Sequence, residues 1–303
     1  MRIFVTGASG WIGSAAVAEL LAAGHRVLGL ARSSSAAAAI AAAGADVRRG
    51  DIGDLDVLRD AARECDGVVH LAFRHDIAFS GDFPAAIASD LAAIEAFGEA
   101  LHGTGKPLVI ASGIAGLKPG AVIYEHDDVV AGGAGGRIAN ERAALALAPR
   151  GVRAVSIRFA PTVHGEGDHG FMAIIAQANR AAGTAGYIGA GSNRWPAVHR
   201  RDASRLIRLA VEKAPAGSVL HAVGEEGVAL RDITEMMGNR LNLPVTSLTN
   251  KEAQSRFGFL SAFLALDTPA SSAATRELLG WTPTGPTLLE DLAQPYYYDA
   301  PIA

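Results

Sequence analysis

Thr6-Gly7-Ala8-Ser9-Gly10-Trp11-Ile12-Gly13 is the stretch on which the reading of this chain turns. It follows at once on an apolar run at 2–6 and opens a helical pattern with Val17, Leu20 and Leu21 on its inner face. The three glycines have separate tasks at such a junction. Gly7 permits the tight turn, Gly10 lets backbone approach a pyrophosphate, and Gly13 lets the helix pack closely on the strand. Free N–H groups and the positive end of the helix then favour the anion. Ser9, Trp11 and Ile12 complete the loop, and the octet is expected to hold a dinucleotide.

Outward from this loop, short apolar runs alternate with helical patterns. Strands are expected at 2–6, 26–30, 46–49, 67–71, 108–111, 154–158 and 219–223, and helices at 11–23, 35–43, 55–64, 83–101 and 138–148. The fold class is α/β, a doubly wound parallel sheet (Rossmann) with a smaller C-terminal substrate lobe. Residues 1–162 are expected to form the dinucleotide-binding core, joined by a strand returning near 217–224. Residues 163–303 form mainly the lobe. There the alternation fails, and 165–170 and 186–191 read as glycine-rich loops around a helix at 171–182, with another helix at 230–241. The glycine cluster 132–136 reads as a mobile loop.

Half of the 303 residues are hydrophobic, which excludes a disordered chain and allows one large core with a dependent lobe. The formal net charge of −4 supplies no basic field, so neither nucleic acid nor an anionic lipid surface is an expected partner. The first apolar run is too short for a signal segment, and the alanine-rich stretch 36–43 is too short to span a bilayer. A cytoplasmic location without a membrane partner is expected. Cys65, the only cysteine, stands between Glu64 and Asp66 and reads as a structural thiol.

The second strand runs into Ala31-Arg32-Ser33-Ser34, and no acid occurs between Ala31 and Ala45. A carboxylate there would meet the ribose 2′-hydroxyl of NAD, whereas an arginine accommodates a 2′-phosphate. Arg32, assisted by Ser33, is the expected clamp, and the expected cofactor is NADP(H).

Further segments extend the pattern: Gly50-Asp51-Ile52 after the third strand, His70-Leu71-Ala72 after the fourth and Ala111-Ser112-Gly113 after the fifth. Arg158-Phe159-Ala160-Pro161-Thr162-Val163-His164-Gly165 follows, then Trp195-Pro196-Ala197-Val198-His199-Arg200-Arg201-Asp202. Over residues 1 to about 225 the chain resembles the extended short-chain dehydrogenases/reductases, of the NAD-dependent epimerase/dehydratase kind. The resemblance implies that Asp51 and Ile52 border the adenine. It implies that Leu71, Ala72, Phe73 and Ala111 line the cofactor, and that Pro161 and Val163 flank the nicotinamide.

That family's chemistry rests on Tyr-x-x-x-Lys, which this sequence lacks. The four lysines are Lys106, Lys118, Lys213 and Lys251, and His102, Ile114, Leu209 and Ser247 stand four positions before them. With Glu141 matched to the glutamate that follows the family's lysine, Arg137 takes the lysine position and Gly133 the tyrosine position. The chain thus resembles the atypical members of the superfamily. Arg137 is expected to hold ribose hydroxyls, and Ser112 falls at the substrate-orienting serine. Tyr124 and His164 are the candidates for a substitute acid or base.

The remaining polar clusters read more plainly. His199 to Asp202 is either an anion site or a buried polar corner joining core and lobe, with the corner preferred. His75-Asp76 and His126-Asp127-Asp128 read as solvated loops, and no metal-ligand spacing occurs, so no metal is expected. Trp195, Phe257, Phe259 and Trp281 are available to line a pocket. The expected activity is NADPH-dependent reduction of a small carbonyl or imine substrate. The alternatives are a non-catalytic NADP(H) sensor or scaffold, and an epimerase or lyase retaining its cofactor. A homodimer through the helices at 83–101 and 138–148, using Ala143, Ala144 and Ala146, is expected from the resemblance.

Overall fold

Strand β1 (Arg2–Thr6) buries Ile3, Phe4 and Val5 completely, so helices must cover both of its faces. The structure is a computed structural model and describes residues 1–127 and 135–298. After β1 come α1 (Trp11–Ala22), β2 (Arg26–Ala31), α2 (Ser34–Ala42), β3 (Asp46–Arg49), α3 (Leu55–Glu64) and β4 (Gly67–His70). Then follow α4 (His75–Phe79), α5 (Phe83–Leu101), β5 (Pro107–Gly113), α6 (Gly135–Leu145) and β6 (Arg153–Phe159). The second half holds β7 (Thr162–His164), α7 (Phe171–Ala182), β8 (Ala185–Ile188), β9 (Arg194–His199), α8 (Arg200–Lys213) and β10 (Ser218–Ala222). It ends with β11 (Glu225–Ala229), α9 (Leu230–Leu241), β12 (Val245–Leu248), α10 (Asn250–Phe257), α11 (Leu260–Leu264), α12 (Ala273–Leu279) and α13 (Leu288–Leu292).

Seven parallel strands form the main sheet in the order β10-β6-β5-β4-β1-β2-β3. The order reverses between β1 and β4, and in such sheets ligands bind outside the carboxyl ends of the strands at that reversal. One face is covered by α1, α2 and α8, through Val17, Leu20, Ile40, Leu206 and Ile207. The other is covered by α3, α5 and α6, through Leu58, Ile94, Phe97 and Ala144. Phe97 meets Phe4 edge-on at 6.1 Å. This is the doubly wound parallel sheet that the sequence implies.

Each strand of this sheet begins and ends within two residues of its expected bounds. The largest omission is α8, which packs along α1 and so belongs with β10 to the core. Its apolar stripe of Leu206, Ile207, Leu209 and Val211 starts only after the charged turn Arg200-Arg201-Asp202. The segment 186–188, read as loop, lies in β8 and pairs in parallel with β12. A Cβ on Gly186 would come within 2.5 Å of Leu248, so the glycine there marks close packing and not a turn.

The lobe carries a three-stranded sheet, β11-β9-β7, and a third hydrophobic cluster around Trp195, Met237 and Phe257. Ala144 is fully buried within the chain, so part of the alanine face assigned to a dimer contact lies in the core. The glycine cluster at 132–134, including Gly133, falls outside the described residues. Among the described residues no helix is long and apolar enough to cross a membrane.

Candidate functional site

The loop after β1 is shaped by contacts that admit only glycine. Gly7 has φ +67°, and a Cβ on it would lie 2.9 Å from the Ala72 nitrogen. A Cβ on Gly13 would lie 1.9 Å from the Gly7 carbonyl oxygen, so this first helical turn rests directly on the loop. Gly10, the N-cap of α1, offers no side-chain oxygen to the first-turn N–H groups. Those donors are therefore left to a ligand, as a pyrophosphate requires, and the residues present fit a dinucleotide.

A cleft of about 900 Å³ opens over this loop at the β1/β4 reversal. Its wall takes in Gly7, Ser9, Gly10, Trp11, Ile12 and Gly13 from the loop and Arg32 and Ser33 from the end of β2. Asp51 and Ile52 come from the loop after β3, and Leu71, Ala72 and Phe73 from the loop after β4. Ala111 on β5, Pro161 and Val163 on the opposite side complete the set that the sequence nominated for cofactor contact. The indole Nε1 of Trp11 donates to the Val163 carbonyl at 2.8 Å, tying the loop to that far wall.

The four catalytic nominees stand apart from this wall. Val163 and Ala111 line the cleft, whereas the next residues, His164 and Ser112, do not. His164 is wholly buried, with Nδ1 2.9 Å from Asp291 Oδ2, and its ring meets His199 at 5.4 Å. Ser112 is 3 % exposed and its hydroxyl has no partner among the described residues. Tyr124 is on the surface, its ring stacked on His126 at 5.7 Å. His164 and Tyr124, nominated as substitute acid or base, thus lie outside the described wall of the cleft.

Arg137 reaches the wall from behind. Its Nη2 donates to the Ala111 carbonyl at 2.9 Å, and its guanidinium lies 4.5 Å from the centre of the Phe73 ring. Burial lowers its proton affinity, opposed by the charges of Asp90 and Glu141.

Beneath the loop runs a buried polar chain that sequence reasoning missed. Thr6 Oγ1 accepts from the Ala72 N–H at 3.2 Å and lies 2.7 Å from His70 Nδ1. His70 Nε2 lies 3.2 Å from Asp90 Oδ1, whose second oxygen accepts from Asn140 at 2.7 Å. Burial would raise the Asp90 carboxyl, but His70, Asn140 and Arg137 together hold it below the ordinary value. The chain fixes the Ala72 backbone against Gly7.

His199 and Asp202 form the polar corner. Asp202 accepts from the N–H groups of Thr284 and Gly285, at 3.0 and 2.8 Å, and Trp281 donates to its carbonyl. Arg200 donates to the Trp11 carbonyl at 2.7 Å and lies over the Trp11 ring at 4.0 Å.

Trp195, Phe257 and Trp281 are core residues, at 1 %, 6 % and 1 % exposure, so of the four nominated aromatics only Phe259 lines the cleft. The lobe wall adds Asp168, His169, Phe171, Met172 and Ile174. Burial raises the Asp168 carboxyl, opposed by bonds from the Gly170 N–H and the Tyr297 hydroxyl.

Arg74 and His75 also line the cleft, and His75-Asp76 opens α4, where a solvated loop was expected. Asp76 is grasped by Arg74 and Arg32. The available signal was their position directly after Leu71-Ala72-Phe73.

A model of the NAD dependent epimerase/dehydratase family matches residues 3–223. Two yeast proteins resemble the chain over 98 % of its length. An uncharacterized protein, C2A9.02, of Schizosaccharomyces pombe is 46 % identical over its full length. An uncharacterized protein, YLL056C, of Saccharomyces cerevisiae is 43 % identical over 99 % of its length. Among solved structures, MoeE5 in complex with UDP-glucuronic acid and NAD is 25 % identical, with a TM-score of 0.75 over 97 % of both chains. The dTDP-glucose 4,6-dehydratase DesIV of Streptomyces venezuelae, with NAD bound, shares the fold at 22 % identity and a TM-score of 0.78, over 98 % of this chain and 97 % of DesIV.

Proposed function

The chain belongs to the NAD dependent epimerase/dehydratase family, and we propose on that premise that it binds NADP(H) and reduces a small carbonyl or imine compound. The observation that carries this reading is the division of charge along the cleft. The adenosine end presents Arg32 and Arg74, whereas the lobe wall presents Phe171, Met172, Ile174 and Phe259 with no lysine or arginine among the described residues. Residues 128–134 contain no lysine or arginine either. A nucleotide sugar brings its own pyrophosphate and needs cations or clustered N–H donors on that wall. There the first turn of α7, after its Gly170 cap, supplies N–H groups, but no cation stands among the described residues. Arg194 of the lobe is already held by both oxygens of Asp267, at 3.0 and 2.9 Å. An uncharged carbonyl suits an apolar wall, and a protonated imine would in addition meet Asp168.

The chain's own groups divide the work. The first-turn N–H groups of α1 hold the pyrophosphate, Arg32 and Ser33 the 2′-phosphate, and Phe73 and Ala111, braced by Arg137, the inner wall. A bound nicotinamide supplies the hydride. The apolar lobe wall excludes water and holds the substrate close to that face of the cleft. Without the family's phenol, an imine that arrives protonated is the easier substrate. Asp168, pushed up by burial, is the lobe-wall carboxyl suited to hold a proton.

The test is NADPH oxidation against a panel of aldehydes, ketones and cyclic imines, with UDP-glucose as the counter-substrate. Oxidation with at least one carbonyl or imine, and no turnover of UDP-glucose, is expected. Turnover of the nucleotide sugar, or silence across the panel, overturns the reading.

A further inference from the structure

Asp76 stands between two arginines at the adenosine end of the cleft. Arg74 donates to it through Nε and Nη2, at 3.0 and 3.1 Å, and Arg32 through Nη1 at 3.2 Å. Both arginines belong to the cleft wall, as do Ser33 and Ser35, whose hydroxyls lie 2.9 Å apart. Two guanidiniums joined through one anion, with two hydroxyls on the same wall, form a receptor for a phosphate. Asp76 carries one negative charge, whereas a phosphate monoester near neutral pH carries about −1.5 to −2 and three acceptor oxygens.

The geometry points to Arg74 as the second cation of the 2′-phosphate site and to Asp76 as its resident counter-anion, competing with the phosphate for the same N–H donors. This rests on the NADP(H) reading above. A ribose 2′-hydroxyl brings no charge that would displace the carboxylate, so NAD(H) leaves the Arg32–Asp76–Arg74 bridge in place. Binding of NADP(H) breaks it. Asp76 thereby sets how strongly one dinucleotide is preferred over the other. Arg74 Nη1 also lies 3.5 Å from Asp51 Oδ1, beside the expected adenine contact, so the test must separate the phosphate from the adenosine.

Calorimetric titration of the full chain with 2′-phospho-ADP-ribose and with ADP-ribose does so, because neither ligand carries a nicotinamide. Asp76→Asn is expected to tighten 2′-phospho-ADP-ribose about fivefold and Arg74→Ala to weaken it about fivefold, the scale of an exposed charge pair. ADP-ribose is expected to shift less than about twofold in both variants, which also reports that they are folded. Equal shifts for both ligands, or none, overturn the proposal while a wild-type preference for the phosphorylated ligand leaves the NADP(H) reading standing. Wild-type protein that binds both ligands equally overturns that reading. The present proposal, which rests on that reading, then falls with it.

Discussion

One methyl group at Gly13 would collide with backbone that has no room to move. The added Cβ would lie 1.9 Å from the Gly7 oxygen and 2.7 Å from its carbon. Gly13→Ala is therefore expected to cost at least about 3 kcal/mol in urea unfolding and to abolish dinucleotide binding. An unchanged unfolding midpoint would contradict the packing described for the loop. Glycines of this kind are legible in sequence because backbone geometry permits nothing else at those positions. His164 and Ser112 were not. Their motif neighbours were recognisable, but whether a given side chain lines the cleft or is buried beside it shows only in the folded structure.

At the level of elements, β10 and the start of α8 each bury a histidine. His221 on β10 is fully buried, with Nδ1 2.7 Å from the Ser271 carbonyl oxygen, and His199 caps α8. Burial lowers the proton affinity of both below the ordinary value of 6.5. The unfolded chain then takes up protons first as the pH falls, so their contribution is present above pH 6.5 and is lost progressively below it. The melting temperature is expected to fall between about pH 7.5 and pH 5.5, and more shallowly in His221→Gln. A flat profile in the wild type, or an unaltered slope in the variant, would contradict this. The strands that alternate with helices were readable from their apolar runs. Helix α8 was not, because its first turn is charged and Arg200 and Asp202 turn inward to polar partners, where surface charge would be expected.

The whole molecule places a cationic, glycine-built half of the cleft on the core and an apolar half on the lobe. The two halves are joined by Trp11 to Val163 and by Asp202 of α8 to Thr284 and Gly285. The core half was legible because its chemistry follows the regular strand–helix alternation. The lobe half was not, since Phe171, Ile174 and Phe259 come from separate elements that only tertiary packing brings to one wall. Most direct for the account as a whole is a calorimetric titration of cofactor-free wild type and Arg32→Asp with NADPH and, separately, with NADH. The account predicts a clear wild-type preference for NADPH and a loss in Arg32→Asp that falls far more heavily on NADPH than on NADH. Equal losses for the two, or binding of neither by the wild type, would contradict it.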